Sequence, residues 1–428
     1  MKSFRLKNFK CFEDTGEIEI KPITLFYGKN NSGKSSVLRF LKMLCKTISE
    51  NSPAFLFERD YKTTVFNHDI KLNIGFEFSF DPSYAPHSNF PQFGDNGERP
   101  LTNLRSELGY REEGTYNRYN QLNYTEISCK EGIFLIVVVD EKGVSINGKL
   151  LDLPPLLLYG FIPKYFHKIG RKDSQVRGVI YDINSFLTLF ANTTTYLTAN
   201  HPLPQYSYVY NPKGEKEVGE QAQYLPDILG YQKDQKNTVF FDKLNYLLKK
   251  HLKVTIEVET FRNNTLIIEI IDENGVKNIL PDVGAGIVQV LPVFVQSVLA
   301  DQQSAFSTII IEEPESNLNP YAQAELADVF IASAKLHSNN RFLLETHSET
   351  LVLRLQRRIL EGEISPSDVA IYFVERKKEG IGSEIKRVQW DEDTQTFDFP
   401  EEFFDADYIE ARAITKLQTP KKITDLAW

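Results

Sequence analysis

The chain has 428 residues, 41% of them hydrophobic, and carries 58 acidic against 49 basic side chains for a formal charge of −9. That length provides two or three domains' worth of ordinary globular core. No apolar run approaches the ~20 residues that cross a bilayer, and the acidic balance argues against a protein that coats nucleic acid uniformly.

At the start, MKSFRLKNFKCF spreads its charges rather than collecting an apolar signal core, which makes a cytoplasmic location the expectation. The alternation from Glu17 to Ile20 reads as strand, and Ile23 to Tyr27 (ITLFY) is a β-rich run. Next, Gly28 to Ser35 (GKNNSGKS) fits the phosphate-loop pattern GxxxxGK[ST] at every fixed position. Val37, Leu38, Leu41 and Leu44 then recur at helical spacing, so the order is strand, loop, helix. Gly28 and Gly33 let the backbone curl so that its N–H groups point at phosphates, Lys34 adds a cation near the β/γ oxygens, and Ser35 is placed to hold Mg²⁺. The expected ligand is a nucleoside triphosphate.

From Phe80 to Lys250 the chain reads as a mixed insertion carrying a small sheet and a few helices, rich in Tyr, Asn, Pro and Gly between short apolar runs, with no sustained heptad repeat. Within it, Phe93 to Tyr124 is polar and aromatic and reads as an exposed loop or hairpin. Tyr110, Tyr116, Tyr119 and Tyr124 interleave with Arg105, Arg111 and Arg118, a composition that stacks on bases and contacts phosphates in single-strand binders. A flexible surface or a protein interface has the same composition. Two basic groups, Lys249, Lys250, His251 and Lys253, and Arg354, Arg357 and Arg358, read either as solvated helix faces or as phosphate contacts. Cys11, Cys45 and Cys129 are too few and scattered for a disulfide framework or a zinc site and read as small core residues.

In PDVGAGIVQVLP (Pro281 to Pro292), Gly284 and Gly286 open a helix-like run, and glycines before a helix leave N–H groups pointing outward. A flexible turn before a helix has the same look. One loop already serves the nucleotide, so a second clamp would be donated to a neighbouring subunit. In TIIIEEPESNLNP, the run Ile309 to Ile311 ends in Glu312 and Glu313. Alone this is also how a strand leaves into solvent, but a parallel α/β sheet binds ligands beyond its carboxyl ends. Glu312 is therefore assigned to magnesium, directly or through its water shell, and Glu313 to orienting or deprotonating the hydrolytic water. Asn319 and Pro320 form an N-cap and N1 pair for a helix striped by Leu326, Val329 and Phe330. Arg341 to Leu344 (RFLL) reads as the next strand, delivering Glu345, Thr346 and His347 to the same edge. His347 in isolation is an ordinary surface histidine; in this order it is placed to bond a γ-phosphate.

Taken together, these motifs resemble the ATP-binding-cassette (ABC) type ATPases of the RecF/SMC/OLD group, in its compact arm-less branch. GKNNSGKSS is similar to a Walker A motif, DVGAGIVQVLP to the signature, IIIEEPESNLNP to Walker B with its D-loop, and ETHSE to the H-loop. MKSFRLKNFKCFEDTGEIEI resembles the first two strands of such heads, and FPEEFFD resembles their terminus. The resemblance implies an α/β fold: an ABC-type head with a mixed α+β insertion between Walker A and signature and no coiled-coil arms. The implied division is 1–80, an N-terminal lobe; 81–250, the insertion; 251–375, a C-terminal lobe; and 376–428, an extension. It implies ATP and Mg²⁺ as cofactors, with Gly28, Asn30, Asn31, Ser32, Gly33, Lys34, Ser35 and Ser36 on the nucleotide. Gly284, Gly286 and Gln289 would meet the nucleotide of a second copy. Ser35 and Glu312 would hold the metal, and Glu313 and His347 would act in catalysis.

Some positions depart from the family pattern. YLTANHPLP stands where relatives carry a YxGPLR-like stretch that supplies an arginine, with Asn200 and His201 here instead. Ala285, Val288 and Asn319 also differ from the usual residues, and Asn67 and His68 stand where a Q-loop would be sought. The implied assembly is a head-to-head dimer, or a multiple of dimers, with two ATP molecules between the copies. Two readings follow. One is an ATPase sensor subunit of a prokaryotic antiphage system, similar to the Septu or PARIS type, controlling a separately encoded nuclease or toxin. The other is a RecF-like housekeeping ATPase acting on DNA in repair. A transporter ATPase is a third and weaker reading, and no membrane partner is expected. The acids after His347, such as Asp405 and Asp407, lack the strands of an added nuclease module.

Overall fold

The computed structural model describes residues 1–50, 52, 55–80, 101–113, 117–129, 132–140, 143–151, 185–302, 307–336 and 340–400. It opens with β1 (Ser3–Phe9), β2 (Phe12–Asp14) and β3 (Ile18–Glu19), with β1 antiparallel to both of the others. β4 (Ile23–Tyr27) leaves this sheet and is buried along its whole length, as a central parallel strand requires. The phosphate-loop sequence then runs into α1 (Lys34–Ser49), followed by the short α2 (Tyr61–Thr64).

The chain returns to its first sheet through β5 (Ile74–Ser79), and the sheet widens through β6 (Leu101–Glu113), β7 (Asn117–Cys129), β8 (Gly132–Asp140), β9 (Gly143–Ile146) and β10 (Lys149–Leu151). Most of the stretch read as an exposed loop or hairpin is thus two paired 13-residue strands. Alternation explains the pairing: Leu104, Ser106 and Leu108 are buried on one face, while Arg105 on the other pairs with Glu77 and Glu107. The ring of Tyr124 lies 5.6 Å from the Arg105 guanidinium. The side chains of Tyr110, Arg111, Arg118 and Tyr119, and all of Tyr116, lie outside the described residues.

A helix over residues 185–192, α3, precedes β11 (Thr194–Leu197). After β12 (Tyr208–Val209) come α4 (Leu225–Asp234) and α5 (Thr238–Leu252), then β13 (Thr255–Phe261), β14 (Thr265–Ile271) and β15 (Lys277–Ile279), which form a small antiparallel sheet with β12. α6 (Ala285–Gln302), β16 (Ser307–Glu312), α7 (Pro320–Leu336), β17 (Asn340–Thr346), α8 (Glu349–Leu360), β18 (Val369–Arg376) and β19 (Ser383–Val388) complete the described order. α6 is long and apolar enough to span a membrane by length and composition, and 67% of that stretch is buried inside the protein. Asn319 caps α7, its Oδ1 accepting from Ala322 N at 3.0 Å.

The functional sheet has the order β11-β16-β17-β4-β18-β19, parallel except for β19. Its strands alternate between two cores. Phe26, Ile310 and Leu343 pack with α1 and the first sheet, whereas Leu25, Ile309, Ile311, Phe342 and Leu344 pack with the layer containing α5 to α8. α1 is packed between the two sheets: the Phe40 ring lies 5.3 Å from Phe9 and 5.7 Å from Phe76 of the first sheet, and Ile310 and Leu343 of the second share its core. The helix that begins at the phosphate loop is therefore packed from both sides. Both sheets continue across the expected boundaries, the first from β5 into β6 and the second from β18 into β19.

The loop itself leaves no room for side chains at its glycines. A Cβ on Gly28 would stand 2.1 Å from Val374 O, and one on Gly33, at φ +112°, would stand 2.4 Å from Cys11 Sγ. Gly33→Ala is expected to cost roughly 1–3 kcal/mol, because steric conflict adds to a backbone conformation that L-residues avoid. Gly16→Ala, at φ +66° with nothing within 4 Å, should cost less. Equal losses in thermal unfolding of the two variants would contradict the packing account.

Candidate functional site

Five parallel strands deliver their ends to one edge, and the register fixes who meets whom: Glu312 lies opposite Glu345, Glu345 opposite Phe26, and Thr346 opposite Tyr27. Gly28 follows Tyr27 directly. Strand alternation then sorts the side chains, since Glu312 and Glu345 share the parity of Ile310 and Leu343 and so face α1.

Lys34 is buried inside the loop, donating to Gly28 O at 2.8 Å and Lys29 O at 3.0 Å, and its Nζ stands 4.0 Å from Glu345 Oε1. Burial lowers its pKa, opposed by Glu345, Glu313 and Glu315. Ser35 Oγ donates to Glu345 Oε1 at 2.9 Å. Ser36 N closes the first turn on Gly33 O at 3.0 Å, and Asn30 and Asn31 are exposed on the loop's outer side. Glu312 is buried at 6% exposure, its Oε1 accepting from Tyr196 Oη at 2.6 Å and from Arg39 Nε at 3.1 Å.

Glu313 is the first residue beyond the strand. Its φ of +45° is a left-handed conformation rare for a side chain of this size, and its N–H is tied to Glu345 O at 2.8 Å. The carboxylate is thereby turned off the sheet and toward His347, with Oε1 at 3.7 Å from Nε2. The His347 backbone N–H donates to Glu315 Oε1 at 2.6 Å. Burial and then Lys34 lower the pKa of the His347 imidazole, while Glu313 raises it; the net direction is downward and favours the neutral ring. Ligand atoms of Glu313, Glu345 and His347 lie within 4.8 Å of one another.

A triphosphate with a hard cation fits these residues. Ser32 Oγ, Glu345 Oε2 and Glu315 Oε2 are buried without hydrogen-bond partners, the glycine curl admits no Cβ, and hydroxyl plus carboxylate oxygens are the donors magnesium prefers.

The glycine-led start of α6 packs against the loop after β16. Gln289 Nε2 donates to Ala199 O, and a Cβ on Gly286 would stand 2.9 Å from Asn317 O in the loop after β16. A Cβ on Gly284 would meet nothing within 4 Å. Asn67 and His68 form a turn with local bonds, His68 Nδ1 lying 2.8 Å from Lys62 O. In the basic groups, Arg354 pairs with Glu325 and Asp328, Arg358 pairs with Asp328 and Glu361, and buried His251 sits 2.7 Å from Glu325. Arg354 and Arg358 are thus paired within the protein, while Lys249, Lys250, Lys253 and Arg357 are exposed. Glu345 was placed at this edge from sequence without a role, and Glu315, Tyr196 and Arg39 were not singled out. For Glu345 the available signal was its parity with Leu343, which places it on the loop's side of the sheet.

Residues 1–140 match the model of an AAA ATPase domain, and residues 168–354 match one described as "AAA domain, putative AbiEii toxin, Type IV TA system". An OLD nuclease of Thermus scotoductus is 28% identical over 88 residues, which span 21% of this chain and 16% of that protein. Among solved structures, an SMC head domain from Thermotoga maritima aligns with a TM-score of 0.38 at 13% identity, covering 91% of this chain and 98% of that one. An SMC head bound to the C-terminal winged-helix domain of ScpA aligns with a TM-score of 0.45 at 14% identity, covering 92% and 99%.

Burial raises the Glu345 carboxyl to about 7 from an ordinary 4.5, against the lowering effects of Ser35 and Lys34. The folded protein then holds a proton that the unfolded chain has released, so this group's contribution to stability falls as pH rises from about 4.5 through about 7. Glu345→Gln, neutral throughout, should gain thermal stability relative to wild type as pH rises across that window, measured in chelator without nucleotide. Parallel pH profiles for the two proteins would contradict the assignment.

Proposed function

We propose, from the premise that this chain is an ABC-type ATPase of the RecF/SMC/OLD group, that it is the ATP-driven sensor subunit of a prokaryotic antiphage defence complex. Pairing of two heads around ATP controls a separately encoded nuclease or toxin. The observation that carries the two-copy part is Gly284, which opens onto free space at the start of a long helix while the chain's own phosphate loop lies against β18 and Cys11. A second copy's phosphates are the ligand that such outward N–H groups suit. The matched model's description as a toxin of a toxin–antitoxin system, and the partial match to an OLD nuclease, support a toxin or nuclease context.

In this reading the loop amides from Gly28 to Ser36 cradle the β- and γ-phosphates and Lys34 turns from the loop carbonyls to the phosphate oxygens. Ser35 and Glu312 would hold magnesium, which would supply charge neutralisation for the triphosphate. Glu313, already turned off the sheet, orients the attacking water and takes its proton. Neutral His347 donates to the γ-phosphate from one ring nitrogen and reports its loss through the backbone bond to Glu315. Gly284, Gly286 and Gln289 of one copy complete the site of the other, so that closure depends on ATP.

Lys34→Ala should abolish binding of a fluorescent ATP analogue. Glu313→Gln should bind ATP normally, lose phosphate release by roughly two to four orders of magnitude, as loss of a general base does, and elute as a dimer with Mg·ATP. Full turnover by Glu313→Gln would contradict the base assignment.

The biological reading is tested by recovering tagged Glu313→Gln protein from its native host in Mg·ATP and identifying what accompanies it by mass spectrometry. A nuclease or toxin that is retained with ATP supports the sensor reading. Recovery of repair proteins, or of DNA alone, contradicts it.

A further inference from the structure

Tyr196 lies near the end of β11, on the strand next to the one that carries Glu312. Its ring is packed in the core shared with α1, and only 7% of the residue is exposed. The hydroxyl donates to Glu312 Oε1 at 2.6 Å, the same oxygen that Arg39 Nε reaches at 3.1 Å from α1. Both donors thus converge on one carboxylate oxygen from two different elements. On the other side of the ring, Lys42 Nζ sits 5.2 Å from the centroid and 2.8 Å from Glu220 Oε2. Glu220 O in turn accepts from Thr198 N and Thr198 Oγ1, just past the end of β11.

We propose that Tyr196 is a positioning residue for the metal: its phenol fixes Oε1 of Glu312 so that Oε2 is the oxygen presented to magnesium. This rests on the reading of Glu312 as a magnesium ligand. The buried Glu312 carboxylate is paired with Arg39, but Arg39, with 41% of its side chain exposed, is the less enclosed of its two anchors. A buried phenol on a hydrogen-bonded strand selects one rotamer. Ligating carboxylates held in this way typically lose 10–100-fold in metal affinity when the holding group is removed. The chain from Thr198 through Glu220 and Lys42 also gives the segment after β11 a physical route to the metal ligand.

Tyr196→Phe keeps the ring and its contact with Lys42 while deleting the hydroxyl. Its magnesium requirement for ATP hydrolysis should rise by about 10–100-fold, with the rate recovering toward wild type at saturating magnesium and the affinity for magnesium-free ATP unchanged. A merely structural role would lower rate and nucleotide affinity together and leave the magnesium midpoint in place, and that result would overturn the proposal. Glu312→Gln separates the two levels. If Glu312→Gln shifts the magnesium midpoint and Tyr196→Phe does not, the positioning role fails alone. If neither variant shifts it, the metal assignment itself fails. The double variant should require no more magnesium than Glu312→Gln, since the phenol acts only through that carboxylate, and a further additive shift would also overturn the proposal.

Discussion

The parallel pairing of β17 with β16 on one side and β4 on the other is the constraint on which the site depends. It sets Glu312 opposite Glu345 and Thr346 opposite Tyr27, and so brings three distant stretches of sequence to one edge. A slip of one residue in β17 would reverse its alternation and turn Glu345 away from Ser35 into the opposite core. Phe342, Leu343 and Leu344 are apolar toward both cores, so what resists the slip is the cost of carrying the Glu345 carboxylate into the opposite apolar core.

Once the edge is assembled, its electrostatics are unbalanced. Glu312, Glu313, Glu315 and Glu345 gather around Lys34 and Arg39, and burial raises the pKa of both Glu315 and Glu345. Carboxylates in such surroundings are costly unless paired, hydrogen-bonded or metal-bound. The protein answers with Tyr196 and Arg39 on Glu312, Ser35 on Glu345 and the His347 amide on Glu315. These contacts hold the acids apart in fixed directions, which is the arrangement a phosphate-bound cation uses.

Much of this was visible in the residues before any coordinates. Gly28, Gly33 and Lys34 announce the loop because only glycine tolerates that backbone, and the isoleucine run ending in Glu312 and Glu313 announces a strand end by its abrupt change of polarity. The rest was hidden for physical reasons. Tyr196 reaches Glu312 across 116 positions, and no local pattern marks such a partner. Glu345 required both parity and register to be known together. The strands β6 and β7 carry so many polar and aromatic side chains that their alternation reads as surface, yet Leu104, Leu108 and Ile127 are enough to pin them to the sheet.

The central claim is that one copy's phosphate loop is completed by the glycine-led helix start of another. Mixing two inactive variants tests it most directly. Lys34→Ala removes the loop's cation, and Gly284→Asp puts a carboxylate at a position that is open in the single chain and so leaves the fold intact. If the site is shared, mixed dimers contain one intact site, and random pairing into a two-fold assembly should restore about a quarter of the wild-type hydrolysis rate. No recovery on mixing, with both variants folded and able to pair with wild-type protein, would contradict a shared site and confine the chemistry to a single chain.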